Sequence, residues 1–229
     1  MPDALRSFIS YSTDDRASAA VVKEFLQGFG IQSFMAHEDL HVSDEWRHRI
    51  LEELQRMHVF VALLSKAFKS SDWAPQELGI AVSRRDVSII PLSLDGTVSY
   101  GFIDNLQSKP FVDPLTDVLF VGPLQRRYPR HVIPVLVQRL RDVRSFRGAE
   151  ARMESLRPFY KEFIPVEVDA FVEACIANKQ IWDAGLCASE YIPEFITATR
   201  HHIRAAQLVA LEYQITTRKR HADSAADEA

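Results

Sequence analysis

Residues 37–41 read HEDLH, the H-E-x-x-H pattern in which two histidines a helical turn apart hold zinc and a glutamate activates water. That chemistry needs both histidines on one continuous helix, with about 6 Å between them. Here the five residues follow the strand-like run IQSFMA (31–36) and precede a helix cap at Ser43. They therefore form a strand-to-helix loop, where side chains at i and i+4 have no fixed relation. No third ligand follows at a recognisable spacing, so no metal is expected. Other catalytic patterns fail as well. There is no G-x-x-x-x-G-K-[ST] and no G-x-G-x-x-G after a strand. A phosphoacceptor site would use Asp14 and Asp15 but also needs an aspartate ending the third strand, where Leu64 and Ser65 stand. Ser10 and Ser12 are not followed by the helix of a nucleophile elbow. His58 opens a strand and reads as a satisfied, partly buried imidazole. His201 and His202, about 100° apart on a helix, read as solvated.

The elements that position such residues follow from periodicity. SFISYS (7–12) is a short strand, and the polar STDDR after it caps a helix with Val22, Phe25, Leu26 and Phe29 on one face and Gly30 at its C-cap. IQSFMA is a second strand. The next helix carries Trp46, Ile50, Leu54 and Met57 on one face, with Ser43 as N-cap and Asp44 and Glu45 in its first turn. HVFVALLS (58–65) is a near-continuous apolar run of strand length, the mark of a strand covered on both faces. KSSDWAPQELGIAVSRR begins a helix with Pro75 in its first turn, and VSIIPLSL (87–94) is a fourth strand. Alternating strands and helices with short connections imply an α/β, doubly wound parallel sheet whose ligands lie at the carboxyl ends of the strands. Residues 95–131 leave two places for a fifth strand, KPFV (109–112) or VLFVG (118–122). A helix with Ile133, Leu136, Val137 and Leu140 inward closes a first domain at about residue 147.

Beyond it the strand pattern stops. Val168, Phe171, Val172, Cys175 and Ile176 form one helical stripe, and PEFITATRHHIRAAQLVALEYQI is a second long amphipathic helix with Pro193 near its start. The expected organisation is 1–147, an α/β domain; 148–216, a small all-helical extension; and 217–229, a frayed polar tail. The apolar stripes of the extension must pack on each other, on the first domain or on another subunit.

The chain has 229 residues, 47% hydrophobic and 25% charged, with net charge −4. That mild acidity gives no global reason to expect nucleic acid or an anionic membrane as partner. An arginine cluster (126, 127, 130, 139, 141, 144 and 147, opposed by Asp142) reads as a solvated helix face, with an acidic partner or nucleic acid as the alternative. Cys175 and Cys187 fit neither a disulfide framework nor a redox pair and suit a reducing compartment. With no secretory leader and no run of about 18 apolar residues, the expectation is a cytoplasmic protein that does not span a membrane.

Taken together, FISYS (8–12), FMAHEDLHVSDEW (34–46), HVFVALLS (58–65), SDWAPQELGIAV (71–82), IIPLSLDG (89–96) and YGFI (100–103) resemble, in order and spacing, Toll/interleukin-1 receptor (TIR) domains, bacterial ones especially. The resemblance covers about residues 5–105 and implies a flavodoxin-like sheet. It also implies one of two functions, NAD⁺ cleavage or adaptor assembly without catalysis. The residue separating them is a glutamate in W-x-x-x-E, here Trp73 and Glu77. At i and i+4 they share a helix face beside the strand ends, suited to a flat ring and a ribose diol. The resemblance makes Glu77 catalytic, lets Phe8, Ser10, Tyr11 and Trp73 line a substrate pocket, and makes Asp39 to Trp46 a covering and assembly loop. Phe8 serves equally well as core, Trp46 is more naturally core, and Glu77 has only a solvated helix face as its ordinary alternative. NAD⁺ enters as substrate, with no other cofactor. The products implied are nicotinamide with ADP-ribose or a cyclic ADP-ribose isomer. The resemblance further implies activation by self-association, a setting in bacterial antiphage immunity, and use of the helical extension for assembly or a partner protein.

Overall fold

The computed structural model describes residues 4–36 and 44–227. The predicted loop at 37–43, with HEDLH, Asp39 and the Ser43 cap, lies outside the described residues. Two compact units divide at 127/128.

In the first unit, β1 (Arg6–Ser10) leads through a turn to α1 (Arg16–Gln27), β2 (Gln32–Met35), α2 (Asp44–Arg56), β3 (Val59–Leu64), α3 (Lys66–Ser70), α4 (Ala74–Ser83), β4 (Ser88–Ser93), β5 (Lys109–Pro110) and α5 (Val118–Gln125). The strands form one sheet in the order β2-β1-β3-β4-β5, and every pairing is parallel. This is the flavodoxin-like doubly wound order, whose switch point lies between β1 and β3. The predicted fold class holds, including a C-terminal group of helices.

Strand β3 is buried at all six positions, as its apolar run requires for a strand with neighbours and helices on both sides. On one face of the sheet α2 contributes Trp46, Ile50 and Leu54, with Met57 just past its end, and α4 contributes Ala74, Leu78 and Ala81, to a core with Phe8, Phe34, Phe60, Ala62 and Leu64. Trp46, Ile50 and Leu54 fall on the predicted face, and Met57, one residue past the end of α2, is buried in the same core. Burying each large apolar side chain contributes about 1.5–3 kcal/mol, enough to seat an otherwise charged helix. Gly30, at φ 69°, takes the left-handed turn after α1, letting the Ile31 N–H reach back to the Leu26 carbonyl at 3.1 Å.

The fifth strand is the KPFV alternative, reduced to Lys109–Pro110. VLFVG is helical instead, within α5. Its apolar residues bury Phe120, Val121 and Leu124, and Phe120 stacks on Phe25 of α1 at 4.8 Å. A short apolar run does not distinguish a strand from a buried helix.

The second unit is all helical: α6 (Pro129–Arg141), α7 (Phe146–Leu156), α8 (Pro165–Ala177), α9 (Lys179–Asp183), α10 (Ile192–Thr199) and α11 (Ala205–Asp227). Helix α6, expected to close the first domain, presents its buried face (Ile133, Leu136, Val137 and Leu140) within this unit, and Arg130 binds Glu167 of α8 at 2.5 Å. The compact division therefore falls some twenty residues before the expected 147. The core is aromatic: Phe171 stacks on Phe195 at 3.8 Å, and Tyr160 and Phe163 meet them edge-on. The apolar stripes thus pack on one another, although Ile176, expected on the inner stripe, is exposed.

Two other expectations change. The long helix predicted from Pro193 is interrupted after Thr199, because Arg200–Arg204 form a turn. His201 and His202 lie in that turn with ring centroids 3.9 Å apart, so they do not point apart on a helix. Helix α11 continues to Asp227 through residues expected to fray, and Arg218 pairs with Asp183. Cys175 and Cys187 are free and buried, and burial raises both thiol pKa values, that of Cys187 to about 12. No described helix is long and apolar enough to cross a membrane.

Candidate functional site

Helix α4 starts where Ser71 Oγ accepts from the backbone N–H groups of Trp73 and Ala74, both at 3.3 Å. Pro75 occupies its first turn at no cost in hydrogen bonds. The Glu77 N–H bonds to the Trp73 carbonyl at 3.0 Å, so the two residues are a true helical i and i+4 pair on one face. That face lies against β1 at its carboxyl end. There Ser10 Oγ donates a 2.5 Å hydrogen bond to Glu77 Oε2.

Both partners are buried, Ser10 completely and Glu77 at 3% exposure. Glu77 Oε1 has no hydrogen-bond partner among the described residues. A buried acceptor left unsatisfied costs about 1–3 kcal/mol and calls for an explanation. Burial raises the Glu77 pKa from 4.5 to about 7, and the Ser10 bond opposes that rise. Desolvation dominates because no cation among the described residues offsets it. The group is therefore poised between acid and base near neutrality, as functional carboxyls often are.

The aromatic side of the site comes from α2 and α4. Trp46 is buried and its indole N–H donates to the Ala36 carbonyl at 3.2 Å, tying the first turn of α2 to the chain just past β2. Its ring meets Trp73 edge-on, at 4.9 Å and 88°. Trp73 is only half-buried, and the guanidinium of Arg47 lies over its ring at 5.7 Å. Tyr100 packs against the same core, with its hydroxyl buried and unpartnered among the described residues and Lys69 over its ring at 5.1 Å.

The structure thus brings Ser10, Glu77, Trp46 and Trp73 together. Phe8 is a core side chain, fully buried between Phe34 and Phe60 at 5.4 and 5.8 Å, the second of the two roles open to it. Tyr11 is also buried, at 1% exposure. Asp39 lies outside the described residues. Sequence reasoning overlooked Arg47, whose one signal is an arginine following the inward-facing tryptophan of an amphipathic helix.

The remaining candidates have structural roles. Ser65 caps α3 by accepting from the Phe68 N–H at 2.9 Å and donates to Asp15 at 2.6 Å, so the aspartate a phosphoacceptor would need is replaced by a hydroxyl already engaged. His58 accepts from the Arg6 backbone N–H at 3.1 Å, a satisfied imidazole as expected. No His, Cys, Asp and Glu grouping among the described residues could hold a metal.

Residues 8–118 match the protein family described as TIR domain. Among solved structures the chain is similar to the TIR domain of the Toll-related receptor TRR-2 from Hydra magnipapillata, at 19% identity and a TM-score of 0.43, over 52% of this chain and 94% of that one. No curated protein matches the chain.

Proposed function

We propose that the TIR domain at residues 8–118 cleaves NAD⁺ at the nicotinamide–ribose bond, with Glu77 as the catalytic carboxylate. The observation carrying this reading is the buried Glu77 carboxyl: one oxygen held by Ser10, the other unsatisfied, one helical turn from a half-buried indole. A free acceptor in a low-dielectric site matches a ribose hydroxyl, and an indole face matches a flat ring.

In the reaction the C1′–N bond breaks and its electron pair passes to the ring nitrogen, so the cationic nicotinamide leaves neutral and needs no general acid. Positive charge appears on the ribose as an oxocarbenium-like cation. A carboxylate bonded to the ribose hydroxyls binds that state better than the ground state, which is what accelerates the step. Glycosidases use related carboxylate chemistry. Water capturing C1′ and losing a proton gives ADP-ribose, whereas capture by a nitrogen of the substrate's own adenine gives a cyclic isomer. Trp46 and Trp73 hold the substrate and keep water from the carboxyl. Activation by self-association, as part of antiphage signalling in a bacterial cytoplasm, suits a carboxyl only 3% exposed.

The test is chromatography of NAD⁺ incubated with concentrated protein, comparing wild type with Glu77→Ala and Glu77→Gln. Release of nicotinamide by wild type alone is the expected result, with turnover per subunit rising with protein concentration. Release by none of the three, even under assembling conditions, would leave the second reading, a non-catalytic adaptor. The exposed Val98, Phe102 and Val112, 70%, 83% and 61% accessible, favour protein contact and motivate that alternative.

A further inference from the structure

We propose that Arg47 binds the diphosphate of the dinucleotide and thereby selects phosphate-bearing substrates; this rests on the NAD⁺ reading above. Three observations converge on it. First, Arg47 is exposed and has no carboxylate partner among the described residues. Arg49 of the same helix is committed, pairing with Glu53 at 2.8 Å and with Glu52 at 3.7 Å. Second, its guanidinium is not adrift in solvent but rests over the Trp73 ring. A cation–ring contact of this kind uses no N–H donor in an ion pair and leaves the guanidinium donors available. Third, Trp46 fixes the helical turn that carries it. With Trp46 buried and bonded to Ala36, the neighbouring Arg47 is held at the start of α2, close to Trp73.

The indole of Trp73 therefore has a cation over its ring and a carboxyl one turn along its helix, about 6 Å in axial rise. A dinucleotide has the complementary arrangement: the ribose at which the bond breaks carries a diphosphate at its 5′ carbon, and the phosphates are anionic where the diol is not. Arginine suits the task because its fork meets phosphate oxygens in pairs. The diphosphate does not change charge when the nicotinamide bond breaks. Its contact to Arg47 consequently holds ground state and transition state alike, and belongs in KM rather than in kcat.

Two measurements on the full chain test this. In kinetics, Arg47→Ala should raise KM for NAD⁺ about ten- to a hundred-fold, the range of a charge-assisted hydrogen bond, with kcat changed less than about two-fold. Turnover of nicotinamide riboside, which has the same scissile bond but no phosphate, should be the same in both proteins. Arg47→Lys should recover only part of the loss, since a point charge lacks the fork. Equal losses on the two substrates would overturn the assignment. In calorimetry, ADP-ribose should bind Glu77→Gln and bind Glu77→Gln with Arg47→Ala correspondingly more weakly. Equal affinities, or no binding to either, would overturn it as well. The second measurement breaks no bond, so a protein that releases no nicotinamide yet loses ADP-ribose affinity with Arg47 would refute the catalytic reading and keep the diphosphate contact. Because Arg47 is exposed, the variant should fold, and an unchanged circular dichroism melt checks this.

Discussion

Glu77 ties stability and chemistry to pH through one proton. Its pKa is raised from 4.5 to about 7 by burial, so the folded state holds the proton more tightly than the unfolded chain does. The stabilisation from this preference is complete below about pH 4.5 and is lost as pH rises through 7. Above that the buried charge costs on the order of 3 kcal/mol. Glu77→Gln, which removes the charge, should raise Tm by several degrees at pH 8.5 and by much less at pH 5; calorimetric melts at both pH values check it. On the proposed mechanism the same proton must leave before the carboxylate can stabilise a cation, so kcat/KM for NAD⁺ should climb with pH through about 7. In the complex the pyridinium charge favours the ionised form, so the acid limb of kcat should lie lower than that of kcat/KM. The W-x-x-x-E spacing was readable in the chain, and so was its face. The Ser10 bond and the orphaned Oε1 were not, because they join residues 67 positions apart, and periodicity reports only faces within one element.

At the scale of elements, α2 and α4 keep the site in register through indoles rather than through ion pairs. Trp46→Phe retains an aromatic ring but deletes the N–H bond to Ala36, at about 1 kcal/mol in stability. It also loosens the support of Trp73. The urea midpoint should fall accordingly, and KM for NAD⁺ should rise. Ser65→Ala removes the cap of α3 together with the bond to Asp15, and should cost about 1–2 kcal/mol on the same assay. Strong periodicity made α1, α2, α6 and β3 legible, because each buries a continuous stripe or run. The fifth strand was not legible: Lys109 and Pro110 pair with β4 only at Leu92 and Ser93, too short a stretch to impose a pattern. The break between α10 and α11 also escaped, since Arg200–Arg204 contains neither glycine nor proline to announce it.

At the scale of the molecule, the helical unit has a core of its own, with Phe159, Phe171 and Phe195 all at zero exposure. A fragment comprising residues 128–229 should fold alone and unfold cooperatively on heating. Phe195→Ala, which opens a void beside Phe171, should cost about 3–5 kcal/mol and abolish most of that transition by circular dichroism. The change from alternating strands to helices was visible in the sequence. The position of the division was not, because the α6 stripe shows that it must be covered without showing by which neighbours. The chain has two cysteines, both sealed among helices after residue 128, and the sheet-bearing unit has none. A thiol-reactive dye therefore reacts only as fast as the helical bundle breathes open, giving an intrinsic clock for that half of the molecule while the sheet-bearing half stays silent.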